Sequence, residues 1–245
     1  MKTAIIINGH VRTWEKCKNN FVEAFGNLDA DVFISVYDQQ YGYAKYIQSV
    51  QDFYEDNILD VEDVKNMFAD LNVKHITVDN SIEMERFKEE QRDKIKLVFN
   101  TEKHGPEIYE SSFPQNYKLY NIKNNLLAYE EANGFKYDRI IKTRTELIFN
   151  TEVLKRSLNI LGDSDFLVDA GNMPPNDVAF FTSRDNAVNV IDFMYNEFYN
   201  PVYPNESVVW PPHSILNSAI VHNNLNTVSR RLVIHVEREK LQQVY

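Results

Sequence analysis

Short apolar runs alternate along this chain with longer amphipathic stretches. Runs bounded by polar or glycine residues predict strands at Ala4–Ile7, Asp31–Val36, Val73–Val78, Arg139–Ile141, Asp165–Asp169, Val178–Phe181 and Leu232–Val236. Apolar residues recurring every three or four positions predict helices over Trp14–Phe25, Val61–Leu71, Glu83–Lys96, Pro114–Ala132, Thr151–Asn159, Ser183–Phe198 and His213–Val221. Thr13 is placed to cap the first helix through its hydroxyl, and Asn133-Gly134 to stop the fourth. Residues 41–56 are irregular and aromatic-rich, with room for a surface helix, and 200–212 carry too many prolines for a helix interior. The opening order strand–helix–strand–helix–strand favours the α/β class: a mostly parallel, doubly wound sheet flanked by helices. No repeat or linker interrupts the pattern, so one domain is expected over 1–245, with 81–112 as a mobile insertion or lid.

One stretch departs from this regularity. Tyr137–Asn150 begins as a buried-type strand at Arg139-Ile140-Ile141, then meets Lys142, Thr143, Arg144, Thr145 and Glu146 before apolar character returns at Leu147. In open α/β sheets, ligands bind just outside the carboxyl ends of strands. Two cations and a carboxylate there suit a phosphorylated ligand. The plainer alternative is an edge strand with its charges in water.

Composition narrows the chemistry. The 245 residues carry 26 Lys plus Arg against 36 Asp plus Glu, a net charge of −10, which argues against general nucleic-acid binding. An acidic protein still binds an anion where its few cations converge. Cys17 is the one cysteine, so no intramolecular disulfide or cysteine zinc site forms, and its place in a helix predicts packing. No run approaches the ~20 apolar residues of a membrane span. The run Ala4–Ile7 is too short for a signal-peptide core. A cytoplasmic protein is therefore expected, with the sequon Asn205-Glu206-Ser207 unglycosylated.

Other polar groups stand at predicted strand ends. Asn8-Gly9-His10 follows the first strand and Arg12 precedes its helix, a turn whose backbone N–H groups and helix N-terminus suit an anion. It lacks both the Walker and the dinucleotide glycine patterns. Asp38 ends the second strand. Asp177 follows a Pro-Pro turn at the start of another, where turn stabilisation is the structural alternative. His213 follows Pro211-Pro212, and Trp210 and Tyr203 supply rings for stacking or for the core.

Several of these residues together resemble polysaccharide-synthesis glycosyltransferases with a GT-A-like fold, of the bacterial and viral capsular or lipopolysaccharide type. The opening Ile-Asn-Gly-His-Val-Arg-Thr-Trp (7–14) and the run from Asp31 to Asp38 look like that family's start. Gln115–Tyr120 followed by Tyr137–Glu146 is similar to its central signature, and Asn176–Phe180 to its later acidic segment. The resemblance implies sugar transfer from a nucleotide-sugar donor to a hydroxyl of a glycan or glycolipid. It implies nucleotide contacts from Asn8, Gly9, His10, Arg12 and Asp38 within a nucleotide-binding half, 1–80, with 113–245 as the central-strand and acceptor half. Lys142 and Arg144 would hold the diphosphate, and Trp210 and His213 the acceptor or sugar. Asp177 would be the catalytic base, with Asp169 as second choice. Many relatives bind a divalent metal, Mn or Mg, through two acids after the central strand; here that place holds Arg144-Thr145-Glu146, with Glu146 the one ligand. Two other classes fit part of the pattern: a sulfotransferase-like enzyme, which leaves 142–146 unexplained, and a non-catalytic nucleotide- or glycan-binding module.

Overall fold

The computed structural model describes residues 1–11, 13–38, 58–98, 106–170, 178–199 and 211–236, apart from the side chains of some helical residues. Parallel strands β1 (Thr3–Gly9), β2 (Ala30–Tyr37) and β3 (Val73–Asp79) form one half of a seven-stranded sheet. β4 (Arg139–Thr143) lies on the other side of β1, parallel to it. Beyond it run β7 (Phe180–Ser183), β6 (Asp165–Asp169) and β8 (Asn226–Arg230), giving the order β3-β2-β1-β4-β7-β6-β8. Only β7 is antiparallel to its neighbours. The architecture is α/β with a mostly parallel central sheet flanked by helices, as the alternating pattern predicts. β5 (Leu147–Phe149) leaves the main sheet and pairs antiparallel with β9 (Val233–Val236).

Alternation along the strands divides the core between the two faces. On one face Ala4, Ile6, Phe33, Ile140, Phe166 and Phe180 pack under α4 (Pro106–Asn133), α6 (Arg184–Tyr199) and α7 (Pro211–His222). On the other, Ile5, Ile7, Val32, Ile34, Ile141 and Phe181 meet α1 (Trp14–Phe25), α2 (Val61–Met67) and α5 (Thr151–Ile160). α3 (Ser81–Val98) joins the first face through Phe87. Cys17 is fully buried in α1, in keeping with a packing role.

The predicted elements recur with corrections, among them strand β5, which the apolar pattern does not single out, and the start of α7 at Pro211 rather than His213. Thr13 occupies the N-cap position of α1 but makes no side-chain capping hydrogen bond. α2 ends at Met67 rather than Leu71: Phe68 turns into the core and the Leu71 N–H bonds the Phe68 carbonyl at 2.9 Å. The helix expected from Pro114 starts at Pro106 and continues through Pro114. Proline marked a start because it suits a helix's first turn; Pro106 holds that place. β8 was not expected, because Asn-Thr-Val-Ser-Arg offers almost no apolar pattern; it is an edge strand recruited by pairing with β6. The stretch 81–112 is helical over Ser81–Val98 and again from Pro106. Gly134 ends α4 at φ +67°, a conformation glycine adopts without strain. Residues 41–56, the 172–175 turn, the sequon at 205–207 and Tyr203 lie outside the described residues.

Candidate functional site

The chain winds outward from β1 in both directions, toward β2 and toward β4. That reversal makes the carboxyl ends of β1 and β4 a topological switch point, the place where doubly wound folds bind ligands. The two segments emerging there are Asn8–His10 and Arg144–Glu146. They touch: the Thr145 hydroxyl donates to the His10 carbonyl at 2.5 Å. Gly9 has φ +128°, where any other residue would be strained, and a Cβ there would lie 3.8 Å from Arg144 Nε.

β4 is an interior strand, so the edge-strand reading of its charges fails. Lys142 is 1% exposed and Glu146 2%. Lys142 Nζ donates to the Val178 carbonyl at 3.4 Å, tying the end of β4 to the chain that enters β7. Arg144 is partly buried, with Nη1 3.6 Å from Glu146 Oε1. Asn8 is buried; its amide nitrogen donates to the Gln115 carbonyl at 3.3 Å, and its Oδ1 has no hydrogen-bond partner among the described residues. Buried polar atoms without a partner are rare.

The end of β2 adds a second layer. The His10 ring stacks on Tyr37, centroids 4.4 Å apart. Lys118 of α4 lies 4.1 Å over the Tyr37 ring; its ammonium donates to the Val36 carbonyl at 2.8 Å and to the Asp79 carboxylate. Burial pushes the Lys118 ammonium down to about 8, against the opposing pull of Asp79 and Asp38. Asp38 is 9% exposed, and its Oδ1 accepts from both the Ser81 N–H (3.0 Å) and the Ser81 hydroxyl (2.5 Å). One oxygen of the proposed base or ribose contact therefore anchors the start of α3. Asp169, the second choice for base, gives Oδ1 to the N–H groups of Leu232 (2.8 Å) and Val233 (2.9 Å), holding the approach to β9.

Arg12, Asp177 and Trp210 lie outside the described residues, and His213 falls in the first turn of α7 with its side chain outside them. Among the described residues, no group of three His, Cys, Asp or Glu side chains gathers as a metal-ligand set. Glu146 faces a guanidinium, and one carboxylate so placed does not by itself make a site for Mg or Mn, which take several oxygen ligands. No described helix is long and apolar enough to cross a membrane.

Sequence reasoning passed over Lys118, Tyr37, Asp79 and Thr145 as site residues. A signal existed for Lys118: it shares a helix stripe, at i, i+4 and i+8, with Ile122 and Leu126, both fully buried. A lysine on an apolar stripe needs a partner inside.

No family model and no curated protein matches the chain. Among solved structures it is similar to the apo-form glycosyltransferase GlyE of Streptococcus pneumoniae TIGR4, with 8% identity and a TM-score of 0.45. The match covers 92% of this chain but 44% of that one, so this chain spans less than half the length of that protein. A likeness of this degree carries no statement about activity.

Proposed function

We propose that the protein is a glycosyltransferase that moves a sugar from a nucleotide-sugar donor to a hydroxyl of a glycan or glycolipid acceptor in polysaccharide synthesis. The observation that supports this is the meeting of Asn8–His10 with Arg144–Glu146 at the switch point, with Lys142 and Arg144 at the end of β4. In the reaction, the acceptor oxygen forms a bond to the anomeric carbon while the bond from that carbon to the diphosphate oxygen breaks. The bonding pair leaves with the nucleoside diphosphate. Arg144 offers a bidentate fork to the departing phosphates, and Lys142 a buried point charge beneath them. Preorganised cations are worth more in a buried site than in water, because they need no reorganisation as charge develops. Asn8, Gly9, His10, Arg12 and Asp38 are assigned to the nucleotide, and Trp210 and His213 to the acceptor or sugar. Asp177, directly before the Val178 that Lys142 contacts, accepts the acceptor's proton in an inverting transfer. Glu146 adds a metal ligand only if the donor's phosphates and waters complete the shell.

A thermal-shift panel tests this reading: uridine and guanosine diphosphates, their sugar nucleotides, and 3′-phosphoadenosine, each with and without manganese. Stabilisation by sugar nucleotides is the expected result. A response to the adenosine phosphate alone moves the protein to sulfonate transfer, and silence throughout makes it a module for some other ligand. Asp177→Asn is expected to abolish transfer and leave donor binding intact; full activity in that variant removes Asp177 as base.

A further inference from the structure

α4 touches the end of β1 directly and the loop after it through the Tyr37 ring at the end of β2. The Gln115 carbonyl takes the Asn8 amide, and Lys118, one turn on, lies over the Tyr37 ring on which His10 stacks. Lys118 is 1% exposed and is positioned by two further contacts, the Val36 carbonyl at the end of β2 and the Asp79 carboxylate at the end of β3. Asp79 also accepts from the Ser35 hydroxyl at 3.3 Å. One ammonium thus joins the carboxyl ends of two strands to an aromatic ring, and that ring to the loop. Burying a lysine is costly, and an apolar side chain would fill the same stripe beside Ile122 and Leu126 without the cost. What methionine or leucine cannot do is attract the face of the Tyr37 ring and bond to strand ends at once.

We propose that Lys118 is a positioning residue: through Tyr37 and His10 it holds the loop after β1 in the shape that receives the donor's nucleotide. The role rests on the glycosyltransferase reading for its purpose, though not for its geometry. Lys118 does not touch the donor. It fixes the His10 ring, while Thr145 fixes the His10 carbonyl, so that Asn8 and Gly9 present the same backbone whether or not a ligand is bound. Preorganisation of this kind acts on donor affinity more than on the chemical step.

The test uses Lys118→Met, Tyr37→Leu and the pair Lys118→Met with Asp79→Asn, which removes the carboxylate that the first change strands. Proton NMR of the His10 ring in the free protein reads the stack directly. Its ring protons are expected upfield in the wild type, from the Tyr37 ring current. They should move to the free-imidazole position in each variant, including the double one, which keeps the assay alive if Lys118→Met alone fails to fold. Calorimetric titration with uridine and guanosine diphosphates should show about tenfold weaker binding, a 1.4 kcal/mol change, for Lys118→Met. Tyr37→Leu on top of it should add little, since both act through one ring. Turnover at saturating donor should fall far less than affinity. Unmoved His10 protons in a folded Lys118 variant overturn the proposal, as does an additive effect of the two substitutions. If the wild type binds neither nucleotide, the donor assignment falls, while the ring protons still decide whether Lys118 positions the loop.

Discussion

Two charged clusters occupy opposite edges of the same sheet, and their geometry differs. At the amino edge, Glu130 near the end of α4 grips Arg184 at the start of α6. Its carboxylate takes Nη2 at 2.7 Å and Nε at 3.2 and 3.3 Å, and accepts the Tyr137 N–H at 2.8 Å. Nearby, Arg139 donates to the carbonyls of Leu158 and Leu161 at 2.8 and 2.9 Å, closing the end of α5. At the carboxyl edge, Arg144 and Glu146 stand 3.6 Å apart and Lys142 reaches Val178 at 3.4 Å. The first cluster is held by a bidentate pair and by bonds to backbone carbonyls and a backbone N–H. In the second, Arg144–Glu146 and Lys142–Val178 are longer contacts, and they stand at the topological switch point. Charge and burial alone do not separate the two clusters; bond geometry and place in the topology do.

The contrast is sharpest if one edge can be damaged without the other. Glu130→Ala leaves Arg184 facing an unpartnered, mostly buried hole and the Tyr137 N–H without its acceptor. A loss of about 3 kcal/mol is expected, roughly 6–12 °C in Tm by calorimetry. Nucleotide binding by the surviving folded protein should be unchanged.

Arg144→Ala should do the reverse. Removing one preorganised donor to a developing charge lowers turnover by about 10²–10³-fold. Tm should fall less than in Glu130→Ala, because Arg144 makes one contact at 3.6 Å with Glu146 rather than a bidentate pair. Initial-rate kinetics beside a melting curve check both halves. Equal losses of stability in the two variants would erase the distinction drawn between the edges.

Gly9→Ala is intermediate. At φ +128° a side chain costs about 1–3 kcal/mol of backbone strain, although the space beside Arg144 would admit a methyl group. Stability and donor affinity should fall together, since the strain sits in the binding loop itself. Urea unfolding and titration would read the two.

The smallest effect is on pH dependence, and it belongs to neither edge. His75 in β3 accepts from the Asn125 amide at 3.0 Å in the tautomer with a free Nε2 lone pair. Burial lowers its affinity for a proton. The unfolded chain then binds that proton more readily, so His75 supports stability fully above its ordinary value of 6.5 and loses that support as pH falls through the lower folded value. Replacing it with Gln should flatten Tm against pH on the acid side of 6.5 and leave the rest of the curve alone.

Much of this was legible in advance. The apolar runs at Ile5–Ile7, Val32–Ile34 and Ile140–Ile141 determined strands wherever they ended up, because runs of β-branched residues with polar ends have no other good home. The chemistry-bearing turns after β1 and β4 were also visible, since glycine and clustered charge stand out against those runs. That the two turns meet is decided by the parallel pairing of β1 with β4, and the Thr145–His10 bond is its physical form. Lys118 showed only through its apolar stripe: a lysine in an amphipathic helix ordinarily faces water, and its partners lie 82 and 39 residues away in sequence.

The sequence by itself therefore determined most of the elements and the class of sheet, through local periodicity and turn chemistry. Tertiary structure decided what periodicity cannot express. It placed β7 antiparallel between β4 and β6, recruited polar β8 through backbone pairing, and carried α4 through Pro114. It also decided which charges are tied to backbone at the amino edge and which stand at the switch point. Hydrogen bonding and ion pairing at long separation depend on which strand ends meet, and that is set by packing of the whole chain rather than by any stretch of it.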